Sequence, residues 1–406
     1  MSMNETPSAN RVHIGIFGRR NVGKSSIINA VTGQNLAIVS EVKGTTTDPV
    51  SKAMELLPLG PVVFIDTPGL DDEGELGKKR IAKSYQVLNK ADIAVLVLDG
   101  THHFDEKELE QIEKPLLKEF CDRKIPYIIT VNKAENLSDE EKKLFLKRFR
   151  QEKNLLFISA KSGINIHKLK DSIANLAPKE ENNRRIVGDL LKRGDIAVLV
   201  VPIDPSAPKG RLILPQQQVI RDCLESGAIP VVTRETELCE TLSALSKKPK
   251  VVITDSQAFK QVSLDTPEDI FLTSFSILFS RYKGNLMQQV SGAKAIRTLK
   301  DKDVVLISEG CTHHRQCEDI GTVKLPRMIK DFIGKDIEFQ FTSGTEFPKN
   351  LKGYALIVHC GGCTLNEREM KYRLKCAKDQ GVPMTNYGIA IADMNGILDR
   401  SLMIFD

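Results

Sequence analysis

The residues best suited to chemistry fall in two short stretches. One is His359-Cys360-Gly361-Gly362-Cys363, a Cys-x-x-Cys pair directly after the apolar run Tyr354-Ala355-Leu356-Ile357-Val358. Such a pair can be half of a zinc site, a redox dithiol or part of an iron–sulfur ligand set, and context must decide. A second apolar run, Asp303 to Ser308, ends in Glu309-Gly310-Cys311-Thr312-His313-His314. Both runs read as buried strands that place a Cys beside a His just past their carboxyl ends. In an open parallel sheet those ends share one edge, where ligand crevices form, so Cys311 can meet Cys360 and Cys363. Gly361 and Gly362 leave the backbone free to curl around a common centre. Three thiolates leave a fourth position for His313, His359, Cys317 or an outside ligand. A structural zinc site takes all four ligands from protein, whereas an iron–sulfur cluster tolerates an odd fourth one. His314 reads as a supporting or surface residue, Cys317 as a bystander, and Cys121, Cys223, Cys239 and Cys376 as ordinary thiols.

The other stretch is Gly18-Arg19-Arg20-Asn21-Val22-Gly23-Lys24-Ser25, a complete G-x-x-x-x-G-K-S. A short buried strand, Val12 to Phe17, leads into it, and a helix pattern follows from Ser26 to Val31. That context lets backbone N–H groups and a helix N-terminus hold phosphates, with Lys24 reaching the β and γ phosphates and Ser25 ligating Mg²⁺. Asp66-Thr67-Pro68-Gly69 follows the apolar Pro61 to Ile65, which puts a carboxylate where it can hold Mg²⁺ through water. Asn132-Lys133-Ala134-Glu135 follows Tyr127 to Val131, and Ser159-Ala160-Lys161 follows Leu155 to Ile158.

In this order the motifs resemble the small-GTPase superfamily. The resemblance implies GTP and GDP as ligands, with Gly18, Asn21, Gly23, Lys24, Ser25, Ser26, Asp66 and Gly69 at the phosphates. Asn132, Lys133, Glu135, Ser159, Ala160 and Lys161 would hold the guanine. Glu135 departs from the usual Asp; it keeps the acceptor pair but displaces it by one methylene. Lys43-Gly44-Thr45-Thr46-Thr47-Asp48-Pro49 resembles the switch segment of the branch that includes tRNA-modifying and ribosome-assembly GTPases. That implies Thr46, or alternatively Thr45, as γ-phosphate sensor and second Mg²⁺ ligand. Leu70 stands where Ras-like enzymes carry the water-orienting Gln, so slow hydrolysis is expected. In the same branch an Asn at the position of Asn21 helps hold K⁺, whose charge offsets that developing on the transferring group. Lys24, Asn21 and Thr46 are thus the expected catalytic set.

These motifs need a modular chain to position them. A length of 406 residues is enough for two to four domains, each with its own core. Hydrophobic residues at 41% and charged residues at 27% are ordinary for a soluble globular protein. A formal net charge of +5, with both signs interleaved, makes nucleic acid an unlikely partner. The polar Met1 to Asn10 lacks a signal-peptide core and no run is long enough to span a membrane, so a cytoplasmic protein without membrane association is expected. Its eight cysteines should then not be structural disulfides. We expect domains at 11–178, 186–270 and 271–406, with the polar Lys179 to Arg185 as linker. The middle region alternates strands at Asp195 to Val201, Ala228 to Val232 and Lys250 to Thr254 with helices at Gln216 to Ser226 and Glu235 to Leu245. A Pro- and Gly-rich loop, Pro202 to Arg211, interrupts it. In the first domain, Glu140 to Arg150 reads as a surface helix with Leu144, Phe145 and Phe149 on its apolar face.

A GTPase domain of this branch, an α/β middle module and the pattern Cys311-Thr312-His313…His359-Cys360-Gly361-Gly362-Cys363 together resemble the HydF family of [FeFe]-hydrogenase maturation GTPases. Val201-Pro202-Ile203-Asp204 and Pro208-Lys209-Gly210-Arg211 carry the resemblance into the middle module, so it covers essentially the whole chain. It implies an α/β protein: a P-loop GTPase domain, a small α/β dimerisation module, and a C-terminal α/β domain whose mostly parallel sheet carries a metal-cluster site. It implies a [4Fe-4S] cluster on Cys311, Cys360 and Cys363, with His313 or His359 as possible fourth ligand. It further implies a homodimeric scaffold for the di-iron subcluster precursor, with two radical-SAM maturases and apo-[FeFe]-hydrogenase as partners. The main alternative is an RNA- or ribosome-associated GTPase with a zinc-binding C-terminal domain; a thiol-redox enzyme using Cys360 and Cys363 is a third.

Overall fold

The computed structural model describes residues 6–33, 49–71, 74–102, 106–150, 152–177, 185–203, 212–310, 319–344 and 346–406. The chain forms two compact units, Met1–Glu180 and Glu181–Asp406. In the first, strands β1 (Val12–Gly18), β2 (Val50–Leu56), β3 (Gly60–Asp66), β4 (Ile93–Asp99), β5 (Tyr127–Asn132) and β6 (Leu155–Phe157) form a sheet of order β2-β3-β1-β4-β5-β6. Only β2 runs antiparallel to its neighbour. Helices cover both faces, which is why β4 is apolar without alternation: Leu96 and Leu98 enter one core, with Phe17 and Phe120, while Val95 and Val97 enter the other, with Ile27 and Ile173. Helix Asp139–Arg148 starts at a capping box in which Ser138 and Glu141 satisfy each other's backbone N–H. Phe145 and Phe149 are buried as expected, but Leu144, about 100° round the helix from Phe145, is 54% exposed.

In the second unit, β7 (Ile196–Val200), β8 (Ile229–Thr233), β9 (Val251–Thr254) and β10 (Phe271–Ser274) form a parallel sheet of order β10-β9-β7-β8. Helix Leu214–Glu225 opens with a Pro in its first turn. Because Phe271–Ser274 pairs along Val251–Thr254, this sheet runs past residue 270. A second parallel sheet, of order β12-β11-β13-β14, contains β11 (Val304–Ser308), β12 (Glu338–Thr342), β13 (Leu356–His359) and β14 (Met384–Asn386). Helix Tyr387–Met394 ties the two sheets together: its Ile389 and Ala392 share one core with Val198, Val252 and Leu272. Among the described residues no helix is long and apolar enough to cross a membrane.

Candidate functional site

The phosphate-loop motif sits between β1 and helix Lys24–Thr32, where the sequence places it. Three of its residues hold positive-φ backbone, Gly18 at φ 148°, Asn21 at φ 58° and Gly23 at φ 91°. A Cβ on Gly23 would lie 2.2 Å from Asn132 Nδ2, so Gly is required there on steric grounds as well. Asn132 joins three motifs: its Nδ2 donates to the Val22 carbonyl at 2.9 Å, and its Oδ1 accepts the Ala160 N–H at 3.1 Å. Lys133, at φ 63°, pairs with Asp99 at 2.5 Å. Glu135 is exposed in the turn Ala134–Asn136, Lys161 is exposed, and the buried Ser159 hydroxyl accepts the Ser162 N–H at 3.0 Å.

The buried Lys24 donates to the Gly18 and Arg19 carbonyls at 3.1 and 2.6 Å. Ser25 Oγ donates to Asp66 Oδ2, while Asp66 Oδ1 is buried with no hydrogen-bond partner among the described residues. Burial raises the Asp66 pKa above the ordinary carboxylate value, with the Ser25 hydrogen bond and the Lys24 and Lys52 charges pulling it back. A hydroxyl beside a buried carboxylate oxygen that lacks a partner is a donor set that suits a hard divalent cation such as Mg²⁺. Gly69 packs so closely on the phosphate loop that a Cβ would meet Arg20 Cγ at 2.2 Å. The adjacent Leu70 is 6% exposed, inside the core. Ser26 is half-buried in the first turn of the helix. Thr45 and Thr46, with the rest of Lys43 to Asp48, lie outside the described residues, as do the expected linker through Arg184 and the loop from Asp204 to Arg211.

In the second unit the expected meeting of two strand ends is realised. β11 and β13 are parallel neighbours, with Ser308 opposite His359. Cys360 N–H donates to the Ser308 carbonyl at 2.9 Å, and Gly310 N–H donates to Cys360 Sγ at 3.0 Å. Thr364 Oγ1 donates to the Gly310 carbonyl at 3.1 Å, so the residue preceding Cys311 is fastened to the Cys-x-x-Cys loop from both ends. Gly362 turns that loop with φ 63°, against Met370. Cys311, Thr312, His313, His314 and Cys317 lie outside the described residues, and among the described residues no group of three metal-ligating side chains assembles.

His359 is differently placed from the expectation that it could be a fourth ligand. It is the last residue of β13, fully buried, and both ring nitrogens are engaged. Nδ1 faces the Cys360 carbonyl at 2.7 Å and Nε2 faces an Arg373 guanidinium nitrogen at 3.0 Å. A carbonyl only accepts and a guanidinium only donates, so the ring is neutral with its proton on Nδ1. Burial, with the Arg373 charge second, lowers its pKa to about 3. The apolar run reads one residue short of the strand's end, and that residue decides whether the ring points along the edge or into the sheet.

Three charged or polar groups around this loop carry no motif. Arg373, 0% exposed, contacts Glu369 Oε1 at 2.9 Å and the Gly344 carbonyl at 2.8 Å. Tyr387 donates to Glu309 at 3.3 Å, and burial raises its pKa. Lys283, last residue of helix Phe275–Lys283, lies beneath the loop and is 3% exposed. Burial lowers its pKa to about 8 against the opposing pull of Cys363, Cys360 and Glu367. Burial likewise pushes the Cys363 thiol up, and Lys283 offsets part of that rise.

Residues 186–284 match the family described as hydrogen maturase F dimerization domain, and residues 287–404 match the hydrogen maturase F tetramerization domain. The chain belongs to the hydrogen maturase F family. Residues 13–133 match the 50S ribosome-binding GTPase family, so the first unit carries a GTPase domain. Similar curated proteins include GTPase Der of Wolinella succinogenes, 34% identical over 197 residues, 47% of this chain and 40% of that protein. The tRNA modification GTPase MnmE of Clostridioides difficile is 31% identical over 175 residues, 42% of this chain and 36% of that protein. The chain therefore spans less than half the length of these curated relatives. Aquifex aeolicus Era bound to GDP·AlF₄⁻ is 19% identical, with 58% of this chain and 98% of that one covered at a TM-score of 0.38. The fold class expected from the motifs, a P-loop GTPase domain followed by mostly parallel α/β modules, is the one found.

Proposed function

We propose that this chain is a GTP-hydrolysing scaffold that holds a [4Fe-4S] cluster and carries the di-iron subcluster precursor to apo-[FeFe]-hydrogenase. The hydrogen bond from Gly310 N–H to Cys360 Sγ carries the reading, because in a hydrogen maturase F chain it brings the segment entering Cys311 onto the Cys-x-x-Cys loop. Backbone N–H groups aimed at sulfur are what thiolates in a cluster seat require. Cys311, Cys360 and Cys363 would hold the cluster, with the fourth position left to His313 or an outside ligand, since His359 is committed within the sheet. Once bound, the cluster supplies an iron whose non-cysteine position can exchange. Dimer and tetramer formation, cytoplasmic location, and docking of two radical-SAM maturases and the apo-hydrogenase belong to the same reading.

At the nucleotide, Lys24 would exchange its two loop carbonyls for β and γ phosphate oxygens, and Ser25 with Asp66 would hold Mg²⁺. Gly18, Asn21, Gly23, Ser26 and Gly69 would surround the phosphates, and the family resemblance gives Thr46 the γ-phosphate. Asn132, Lys133, Glu135, Ser159, Ala160 and Lys161 surround the guanine. Leu70 is apolar and buried, so it cannot orient water, and hydrolysis should be slow. The exposed Asn21 is the residue for K⁺. Turnover is expected to be several-fold faster in KCl than in NaCl at equal ionic strength; equal rates would remove Asn21 and K⁺ from the catalytic set.

The scaffold reading is tested by anaerobic reconstitution, metal analysis and EPR of wild type and Cys360→Ser. Wild type should show a reduced [4Fe-4S] signal that the variant loses together with most of its iron. Stoichiometric zinc with no iron–sulfur signal would instead favour the zinc-binding GTPase.

A further inference from the structure

Lys283 is a buried cation for which the nucleotide site has no use. Its Nζ donates to the carbonyls of Leu365, Cys363 and Gly362 at 2.9, 3.2 and 3.4 Å, so the three donors of the ammonium meet three acceptors of one loop. The Phe279 ring lies 5.5 Å away on the same helix. Among the described residues no carboxylate forms an ion pair with it. Carbonyl dipoles, with the charge of Glu367 further off, are weak compensation for a full charge taken out of water. What the loop adds is two cysteines, and Lys283 donates to the backbone of one of them, Cys363, and of the Gly362 beside it.

We propose that Lys283 is the charge-compensating floor of the Cys-x-x-Cys loop, which it shapes through three carbonyls, and that its charge would set the potential of a cluster bound by Cys360 and Cys363. The inference rests on the cluster reading and assigns a residue to it. One-electron reduction of a [4Fe-4S]²⁺ centre to the 1+ state adds a negative charge, and a fixed cation behind the ligands favours the reduced form. Lys283 is a positioning residue: it acts through the loop and ligates nothing. It also falls within the stretch matched to the dimerization domain, while the loop falls within the stretch matched to the tetramerization domain. The seat is therefore assembled from both modules.

The test is an EPR-monitored redox titration of the full-length reconstituted chain as wild type, Lys283→Gln, Lys283→Met and Lys283→Arg. Gln keeps a donor without the charge, Met keeps the apolar stem alone, and Arg keeps the charge. Gln and Met should move the midpoint to more negative potential, and Arg should leave it near wild type. If only one uncharged variant folds, that one decides. Uncharged variants that fold yet retain several-fold less iron than Arg would also support a need for the charge. A cluster-loaded Gln or Met variant with the wild-type midpoint would overturn this inference and leave the cluster reading standing. A wild type that takes up no cluster would overturn both.

Discussion

Lys24→Ala is expected to lower saturated GTP turnover by about 10²–10³-fold, the usual effect of removing one preorganised donor aimed at developing charge. In this fold the ammonium has few alternatives to its post, because it is buried and held by the Gly18 and Arg19 carbonyls of the loop it serves. Those carbonyls fix the side chain along the loop before any phosphate arrives, so little ordering remains to be done on binding. The loss should fall on the rate of the chemical step, read as single-turnover phosphate release at saturating nucleotide. The thermal unfolding midpoint should fall modestly as well, since the Gly18 carbonyl loses a buried donor. A variant that keeps more than about a tenth of wild-type turnover would contradict this donor's expected share of the barrier. Because Leu70 leaves no water-orienting side chain at its position, the wild-type rate against which this loss is read should itself be slow.

The sequence exposes the parts of this molecule that are local. The motifs at Gly18, Asp66, Asn132 and Ser159 each sit at or just past the end of an apolar strand, because parallel sheets covered on both faces demand such runs. That the ends of β11 and β13 share one edge is also anticipated, since it needs only two parallel strands in one sheet. The groups that complete the site are not legible in this way. Arg373 sits in Glu367–Asp379, a helix rich in charged residues, yet it is wholly buried by contacts with Ser308, Gly344 and His359, from other elements. Lys283 ends helix Phe275–Lys283, a position where any exposed cation is favoured by the helix dipole. Only tertiary contacts show that it turns inward. The one local clue is the i,i+4 spacing of Glu369 and Arg373, which is also the commonest spacing of an unremarkable surface pair.

Arg373→Met should destabilise the second unit by about 3–5 kcal/mol, the cost of stranding one member of a buried ion pair. The stranded group is Glu369, 5% exposed, whose carboxylate would lose the Arg373 guanidinium that it holds at 2.9 Å. The Gly344 carbonyl and the His359 Nε2 lose their donor in the same step. Full-length wild type and variant compared by urea denaturation should show the difference as a lower midpoint of the transition from residues 181–406. The double variant Arg373→Met with Glu369→Gln discriminates the cause. If a stranded charge dominates, it recovers a large part of the loss; if lost packing against Phe347 dominates, it recovers none. The effect should also reach the thiolates. Arg373 is what fixes the His359 proton on Nδ1, and that proton holds the Cys360 carbonyl at 2.7 Å. Without it the ring can turn, the strand end loosens, and Cys360 is presented less rigidly to Gly310. Iron retained after desalting should then fall several-fold in the folded fraction of Arg373→Met, while a variant at the far end of the same helix, Lys378→Ala, should retain it.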